Sequence, residues 1–312
     1  MAGQYVVDVV PGALRVQVHA HSRYSGSLEV PCWTYVSVGL RQVSHREIAL
    51  SIRRNPAARR DAYPYDPLHL VAGIREAARN GHRAEFGEYT ELGPTGFLGD
   101  ATVRGIGYVA PYRLDGSVVP ADTLVAVPLV GGELATAQRY GLTRVTARLG
   151  QAYLYYPCPP WYDPGRPAHS PERERDRSIL DGIAAVTVPA SCALLRDGAL
   201  LLRLPRRAAD RLAGIPADGP AALFTQPDPD ATACLVWRSG QGGPTAITPP
   251  GGDHTALTGG FVAFVAGQDA DEVRVVEDGF AVMLRDESWA AVRSALTTGS
   301  AYTGSRCTVS FY

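Results

Sequence analysis

Apolar and polar positions alternate along the first part of the chain in the pattern of β-strands. Residues 13–18 carry an apolar side chain at every second position, and residues 33–40 and 47–53 are rich in β-branched and aromatic side chains. The polar residues 41–46 between the latter two segments are few enough for a hairpin connection. The pattern therefore predicts a strand followed by a β-hairpin.

A helical pattern replaces this alternation from Asp66 onwards. Apolar residues then recur at three- and four-residue spacing, Pro67 suits a first helical turn, and Gly81 follows the last one. We therefore predict an amphipathic helix here. In the second half of the chain, two strand–helix pairs are predicted at residues 199–213 and 280–296.

Four more strands are predicted between the first helix and the middle of the chain. They comprise residues 105–112, 123–130, 143–149 and 152–156. A stretch with six prolines, residues 157–177, then interrupts the regular pattern, because proline opposes both helices and strand ladders.

Strand–helix units mixed with hairpins predict an α+β fold, with helices packed on antiparallel or mixed sheets in two halves of similar size. The expected organisation is an N-terminal extension, a first half, a proline-rich connecting loop and a second half. These comprise residues 1–30, 31–156, 157–177 and 178–312. A chain of 312 residues is long enough for such an arrangement.

The most informative feature of the composition is the absence of lysine. All 30 basic residues are arginine, which is typical of a GC-rich coding sequence and suggests a bacterial protein. Pyridoxal-phosphate catalysis, Schiff-base chemistry, P-loop nucleotide binding and the kinase mechanism all need a lysine ammonium group. We therefore expect no cofactor and no lysine- or nucleotide-dependent catalysis.

The net charge and the hydropathy restrict the classes of partner and the location that we expect. The net charge of −1 favours neither nucleic acid nor an anionic membrane as a partner. No apolar run is long enough for a membrane helix and no secretory signal is visible, so we expect a cytoplasmic protein. The five cysteines are widely spaced, which indicates buried free thiols. The oligomeric state stays open.

Short catalytic motifs are few. His19 and His21 form a His-x-His motif that resembles the first metal motif of the PHP phosphoesterases. The other five histidines lack the spacing for further ligands, so we interpret the motif as a polar turn and predict no metal. No glycine-rich phosphate loop and no Gly-x-Ser-x-Gly nucleophile elbow is present.

The densest feature is residues 153–162, which contain five aromatic residues and one cysteine between prolines. Aromatic faces pack well against prolines and apolar ligands, which indicates a surface for a protein, a peptide or a small molecule. The alternative is that these side chains belong to the core. The predicted ligand-binding residues are Tyr153, Tyr155, Tyr156, Trp161, Tyr162 and Trp33.

The same region carries a resemblance to a known family. Residues 149–159, LGQAYLYYPCP, resemble a signature of the C-terminal domain of the Smad anchor for receptor activation and of endofin, a domain of unknown function. Residues 31–33 with 43–52, GFLG at 96–99 and VEDG at 276–279 resemble further parts of it in the same order. The resemblance implies a scaffold-like role without established catalysis. The animal relatives' phosphoinositide-binding finger and Smad-binding segment are not recognisable here, so neither function is carried over.

Three hypotheses follow. The first is a non-catalytic, scaffold-like module that binds a protein or peptide. The second is a cofactor-independent cyclase or hydrolase of bacterial specialised metabolism, with Cys158, His169 and Glu172 supplying acid–base or nucleophilic chemistry. The third is an immunity or antitoxin protein. Gene neighbourhood distinguishes the three hypotheses. A biosynthetic cluster favours the enzyme, an adjacent toxin gene favours the immunity protein, and a signalling operon favours the binding module.

Overall fold

The computed structural model describes residues 3–25, 28–111, 119–120, 122–169, 178–216 and 219–312. The chain forms two compact units. Unit 1 comprises residues 1–134 and 159–168, and unit 2 comprises residues 135–158 and 169–312. Both combine helices with mixed sheets, so the predicted α+β class is confirmed.

Unit 1 is built on a seven-stranded sheet of order β1-β2-β3-β4-β7-β6-β5 within the described residues. Neighbouring strands are antiparallel except β4 and β7, which are parallel. Helix α1 packs on this sheet, and a short 3-10 helix, Leu40–Val43, links β3 to β4. The elements are β1 (Gly3–Val10), β2 (Leu14–Ser25), β3 (Leu28–Val38), β4 (Glu47–Arg53), α1 (Asp66–Arg79), β5 (Tyr89–Glu91), β6 (Val103–Val109) and β7 (Thr123–Val130).

Within the described residues, unit 2 contains a larger mixed sheet of eleven strands. It also contains three whole helices and all but the first two residues of a fourth, α2. The main strand order is β12-β11-β13-β8-β10-β14-β16-β15, and β9, β18 and β17 extend from β8. The helices are α2 (Glu133–Tyr140), α3 (Leu142–Tyr153), α4 (Ala208–Leu212) and α5 (Asp286–Thr298), and a 3-10 helix spans Ile179–Gly182. The strands are β8 (Ala184–Arg196), β9 (Ala199–Leu204), β10 (Ala221–Gln226), β11 (Ala233–Val236), β12 (Thr245–Ile247), β13 (Ala256–Thr258), β14 (Phe261–Val265), β15 (Glu272–Val276), β16 (Gly279–Met283), β17 (Tyr302–Thr303) and β18 (Cys307–Phe311).

Several predicted elements match the structure closely. All but the first of the alternating residues 13–18 lie at the start of β2, and the predicted hairpin is the antiparallel pair β3–β4. Helix α1 begins at the predicted residue, and β7 has the predicted bounds. These segments each have one apolar face or one continuous apolar run, which makes their periodicity readable.

Two strand predictions near the middle of the chain are wrong. Residues 143–149 lie in α3, and residues 152–156 form the end of that helix and the turn after it. Thr143, Val145 and Thr146 are β-branched, which favours a strand locally. This local preference hid a helical pattern, in which the polar residues Arg144, Arg148 and Gln151 recur at four- and three-residue spacing.

The division of the chain also differs from the expected one. Residues 1–30, expected as an extension, supply β1, β2 and the start of β3 to the sheet of unit 1. Residues 135–158 belong to unit 2, whereas residues 159–168 of the expected connecting loop belong to unit 1. Residues 170–177 of that loop lie outside the described part of the chain.

Candidate binding site

Helix α3 of unit 2 carries two buried charges one turn apart. Arg144 and Arg148 are each only 1% exposed. Burial of a guanidinium group is unfavourable unless its hydrogen bonds and its charge are matched. The partners of these two arginines therefore determine where α3 can lie.

Two carboxylates neutralise Arg144. Its Nε donates to both oxygens of Asp278 at 3.0 and 3.1 Å, and its Nη2 donates to Asp278 Oδ1 and Glu277 Oε2 at 2.6 Å each. Its Nη1 donates to Ser178 Oγ at 3.2 Å. Burial lowers the pKa of Arg144, but the charges of Asp278 and Glu277 outweigh this effect and raise the pKa above its ordinary value.

Three aromatic rings surround the same guanidinium. The Arg144 Cζ atom lies 4.6 Å from the ring centre of Tyr140, 5.0 Å from that of Trp237 and 6.0 Å from that of Phe261. Cation–π attraction adds to the ion pairs at these distances and is stronger where water is excluded. The cluster of Arg144, Asp278 and Glu277 is thus enclosed by aromatic side chains.

Glu277 has a second structural role. It is a non-glycine residue with φ 51, and it is buried. Its carboxylate accepts hydrogen bonds from the Ile179 N–H at 2.8 Å and from Ser178 Oγ at 2.7 Å. The residues that begin the 3-10 helix Ile179–Gly182 are therefore fixed by the same carboxylate that binds Arg144.

The second half of α3 is held by the β11–β12 hairpin. Arg148 Nε donates to the Trp237 carbonyl at 3.0 Å, and Arg238 Nε donates to Gln151 Oε1 at 3.0 Å. Gln151 Nε2 also bonds to Thr245 Oγ1 at 3.1 Å. Burial, followed by the charge of Arg148, lowers the pKa of Arg238. These bonds fix the last turn of α3.

The chain turns back sharply where α3 ends. Leu154 adopts the left-handed conformation with φ 50, and its N–H, like that of Tyr155, bonds to the Gly150 carbonyl. A side chain at Gly150 would overlap the Pro157 carbonyl, so only glycine permits the returning chain to lie this close.

We call Tyr153, Leu154 and Tyr155 the α3 turn. Leu154 is 86% exposed, the most exposed of the large apolar residues in the described chain. Tyr153 and Tyr155 flank it and are half-buried. The His169 ring lies edge-on to the Tyr153 ring, with 6.0 Å between ring centres. The α3 turn therefore presents an exposed apolar side chain that is flanked in sequence by two half-buried tyrosines.

The other predicted ligand-binding aromatics are buried. Tyr156 is 7% exposed, and its hydroxyl donates to the Ala231 carbonyl at 3.2 Å within unit 2. Trp33, Trp161 and Tyr162 are also buried but belong to unit 1. Their burial matches the alternative interpretation of the aromatic segment, that these side chains belong to the core.

In unit 1, backbone and ionic contacts hold Trp33 and residues 159–168 in place. Trp33 Nε1 donates to the Arg60 carbonyl at 2.9 Å, and the Tyr162 N–H donates to the Ser51 carbonyl at 2.8 Å. The guanidinium of Arg166 forms two hydrogen bonds of 2.6 Å to the buried carboxylate of Glu133. This pair attaches residues 159–168 to the rest of unit 1.

Cys158, one of the three residues proposed for the enzyme hypothesis, is buried and not activated. Burial raises the pKa of the Cys158 thiol to about 12. A nucleophilic cysteine needs a lowered pKa and access to its substrate. His169 packs against Tyr153, and Glu172 lies outside the described residues. The other four thiols are buried as well, and burial raises their pKa values.

The His-x-His motif lies within a strand, so its interpretation as a polar turn is wrong. His19 and His21 are both in the middle of β2. His21 Nε2 is 2.7 Å from Thr34 Oγ1, which is 2.7 Å from Ser51 Oγ. Burial lowers the pKa of His19. Among the described residues, no group of three or more His, Cys, Asp or Glu side chains is arranged to hold a metal ion.

The arginine cluster was not predicted from the sequence. Its signal is the pair Arg144 and Arg148 in residues 142–150, which are otherwise mostly apolar or β-branched. Charges in such a stretch indicate buried ions that need partners. Nothing in the spacing of the sequence identifies Asp278 as that partner, since it lies 134 residues away.

No protein-family model matches this chain, and no curated protein matches it either. In the described residues, no helix is both long and apolar enough to span a membrane.

Replacing Arg144 with leucine should destabilise unit 2 by about 3–5 kcal/mol, because it leaves two buried carboxylates without a cation. The midpoint of urea unfolding, followed by tryptophan fluorescence, measures this change. The matched control is Arg274→Leu, which removes an arginine whose ion pair with Glu272 is exposed. It should leave the midpoint unchanged. Equal midpoints for the two variants would show that the buried cluster contributes no stability.

All five cysteines should be unreactive in the folded protein. At pH 8, a thiol with a pKa near 12 is ionised in only about one molecule in ten thousand. Ellman's reagent should therefore modify no thiol at this pH under native conditions and all five in guanidinium chloride. Rapid modification of Cys158 by Ellman's reagent in the folded protein would instead support the enzyme hypothesis.

Proposed function

We propose that this protein is a non-catalytic module that binds a protein or peptide partner through the α3 turn. The observation that carries the proposal is the conformation of Leu154, which is 86% exposed at a left-handed backbone position between two half-buried tyrosines. Strained backbone positions that persist in a folded protein concentrate at ligand contacts and other functional sites.

The energetics of Leu154 support a binding role. A left-handed conformation costs a non-glycine residue roughly 1–2 kcal/mol, so glycine or asparagine would suit this position better for folding alone. Full burial of a leucine side chain against a partner stabilises a complex by about 1.5–3 kcal/mol. Leucine at this position is thus unfavourable in the isolated chain and favourable in a complex.

The surroundings of Leu154 suit a partner contact as well. Tyrosine side chains bring a large contact area and lose little entropy on binding, and they are frequent in the centres of interfaces. The α3 turn is attached to a helix that buried ion pairs and the β11–β12 hairpin hold in place. A partner therefore meets a surface that needs little ordering on binding.

The sequence resemblance supports the same class of function. Residues 149–159 resemble the C-terminal domain of the Smad anchor for receptor activation and endofin, and they include the whole α3 turn. No catalysis is established for that domain. The cyclase or hydrolase hypothesis, in contrast, depends on Cys158, whose thiol is buried and whose pKa is about 12. An immunity protein would also act through surface complementarity, so it is distinguished by its partner.

Replacing Leu154 with glycine should weaken partner capture strongly without weakening the fold. Glycine removes the side chain and also suits the left-handed backbone, so loss of capture cannot come from unfolding. With the immobilised protein as bait in a lysate of the cells that produce it, mass spectrometry should show at least tenfold loss of the captured partner.

The matched control is Leu28→Ala, which removes another exposed leucine side chain, 58% exposed, from unit 1. It should capture the same partner as the unmodified chain. Capture that is equal for Leu154→Gly and the unmodified chain would exclude the α3 turn as the contact. A partner that crosslinks to a benzophenone amino acid at position 154, but not at position 28, would identify the contact directly.

A further inference from the structure

The edge strands of the two sheets differ in how they are protected. An exposed strand edge is a template for pairing with another chain, and proteins blunt such edges by short length, charge or proline. In the described residues, β5, β12 and β17 are edge strands of only three, three and two residues. Strand β15 has five residues and carries the exposed charges Glu272 and Arg274. Four of the five edges are therefore blunted.

Strand β1 is the exception. It has eight residues, no proline, and Asp8 as its only charge. One edge pairs with β2, and no other described strand pairs with β1. Its β-bulge lies between Asp8 and Val10, at the end of the strand, so residues 3–8 stay in regular register with β2. Among the edge strands described here, this one lacks the usual protection.

The two faces of β1 are also distinct. Tyr5 and Val7 point to the core side, where they pack against the hydrophobic core of unit 1. Gln4, Val6 and Asp8 are exposed on the opposite face, and Val6 is 57% exposed. A partner strand added at this edge would continue both the core face and the exposed face of the sheet.

We propose that β1 pairs with β1 of a second copy of this chain, in an antiparallel arrangement with Val6 on the two-fold axis. This register places Gln4 opposite Asp8, Tyr5 opposite Val7 and Val6 opposite Val6. The registers centred on Tyr5 or Val7 place Val6 opposite a polar side chain, and the register centred on Asp8 places two carboxylates together. The sequence of β1 thus matches itself in the Val6-centred register.

The pairing has the properties of a closed dimer. Strand β1 of each copy pairs with β1 of the other, so the interface is isologous. Both open edges are then paired. Aromatic–β-branched pairs such as Tyr5 with Val7 favour strand association. The resulting sheet would have fourteen strands, since the described part of each copy contributes seven. Edge pairing alone buries less area than a standard interface, so we expect a dissociation constant on the order of micromolar. This inference is independent of the α3 turn.

Analytical ultracentrifugation of the full chain, from about 1 to about 300 µM, tests the dimer. The unmodified chain should shift from monomer to dimer in this range. Val6→Lys and Val6→Asp should each remain monomeric, because they place like charges opposite each other across the axis. An equimolar mixture of the two variants should dimerise, because opposite charges then meet. A general loss of stability would not produce this restoration.

The matched control is Val275→Lys, which introduces the same charge at an exposed valine of the edge strand β15. It should dimerise like the unmodified chain. Gln4→Lys should tighten the dimer by about three- to tenfold, because each new lysine then faces Asp8 of the other copy. An unmodified chain that stays monomeric throughout, a Val6→Lys variant that still dimerises, or a mixture that stays monomeric would each overturn the proposal.

Discussion

In unit 2, the Arg144 guanidinium lies where water is excluded, and Asp278 and Glu277 bring two negative charges to its one positive charge. Neither carboxylate nor cation is tolerable there alone, since an uncompensated buried charge is strongly destabilising. The cluster connects α3, the turn before β16 and the start of the 3-10 helix Ile179–Gly182, and aromatic rings close it off. The position of α3, and of everything attached to its end, depends on this interaction.

A rigid helix end has a direct bearing on recognition. The last turn of α3 is bonded to the β11–β12 hairpin through Gln151 and Arg238, and the returning chain packs on Gly150. In the proposed complex, Leu154 would be displayed on a support that loses little freedom on binding. Each unit thus presents a distinct kind of feature, an apolar turn in unit 2 and an open strand edge in unit 1.

The sequence predicts the α+β class, the β3–β4 hairpin, α1 and β7 because each of these has a readable periodicity. The strand prediction fails at α3, because the β-branched residues Thr143, Val145 and Thr146 favour a strand locally. The polar residues Arg144, Arg148 and Gln151 recur there at helical spacing, and this signal was missed. The aromatic segment stands out in the sequence, but local sequence cannot tell that Tyr156 and Trp161 are buried while Leu154 is exposed. The pairing of Arg144 with Asp278 could not be predicted from the sequence, because a contact between residues 134 positions apart leaves no local pattern.

The path of the chain has a practical consequence for dissecting the protein. The backbone passes between the two units after residues 134, 158 and 168, so neither unit is one continuous segment. A truncation at residue 156 or 178 would produce an N-terminal fragment that carries Arg144 without its carboxylates. The complementary fragment would retain Asp278 and Glu277 without their cation. Neither piece corresponds to a complete unit, and excision of unit 1 requires residues 1–134 to be rejoined to residues 159–168 by a new linker.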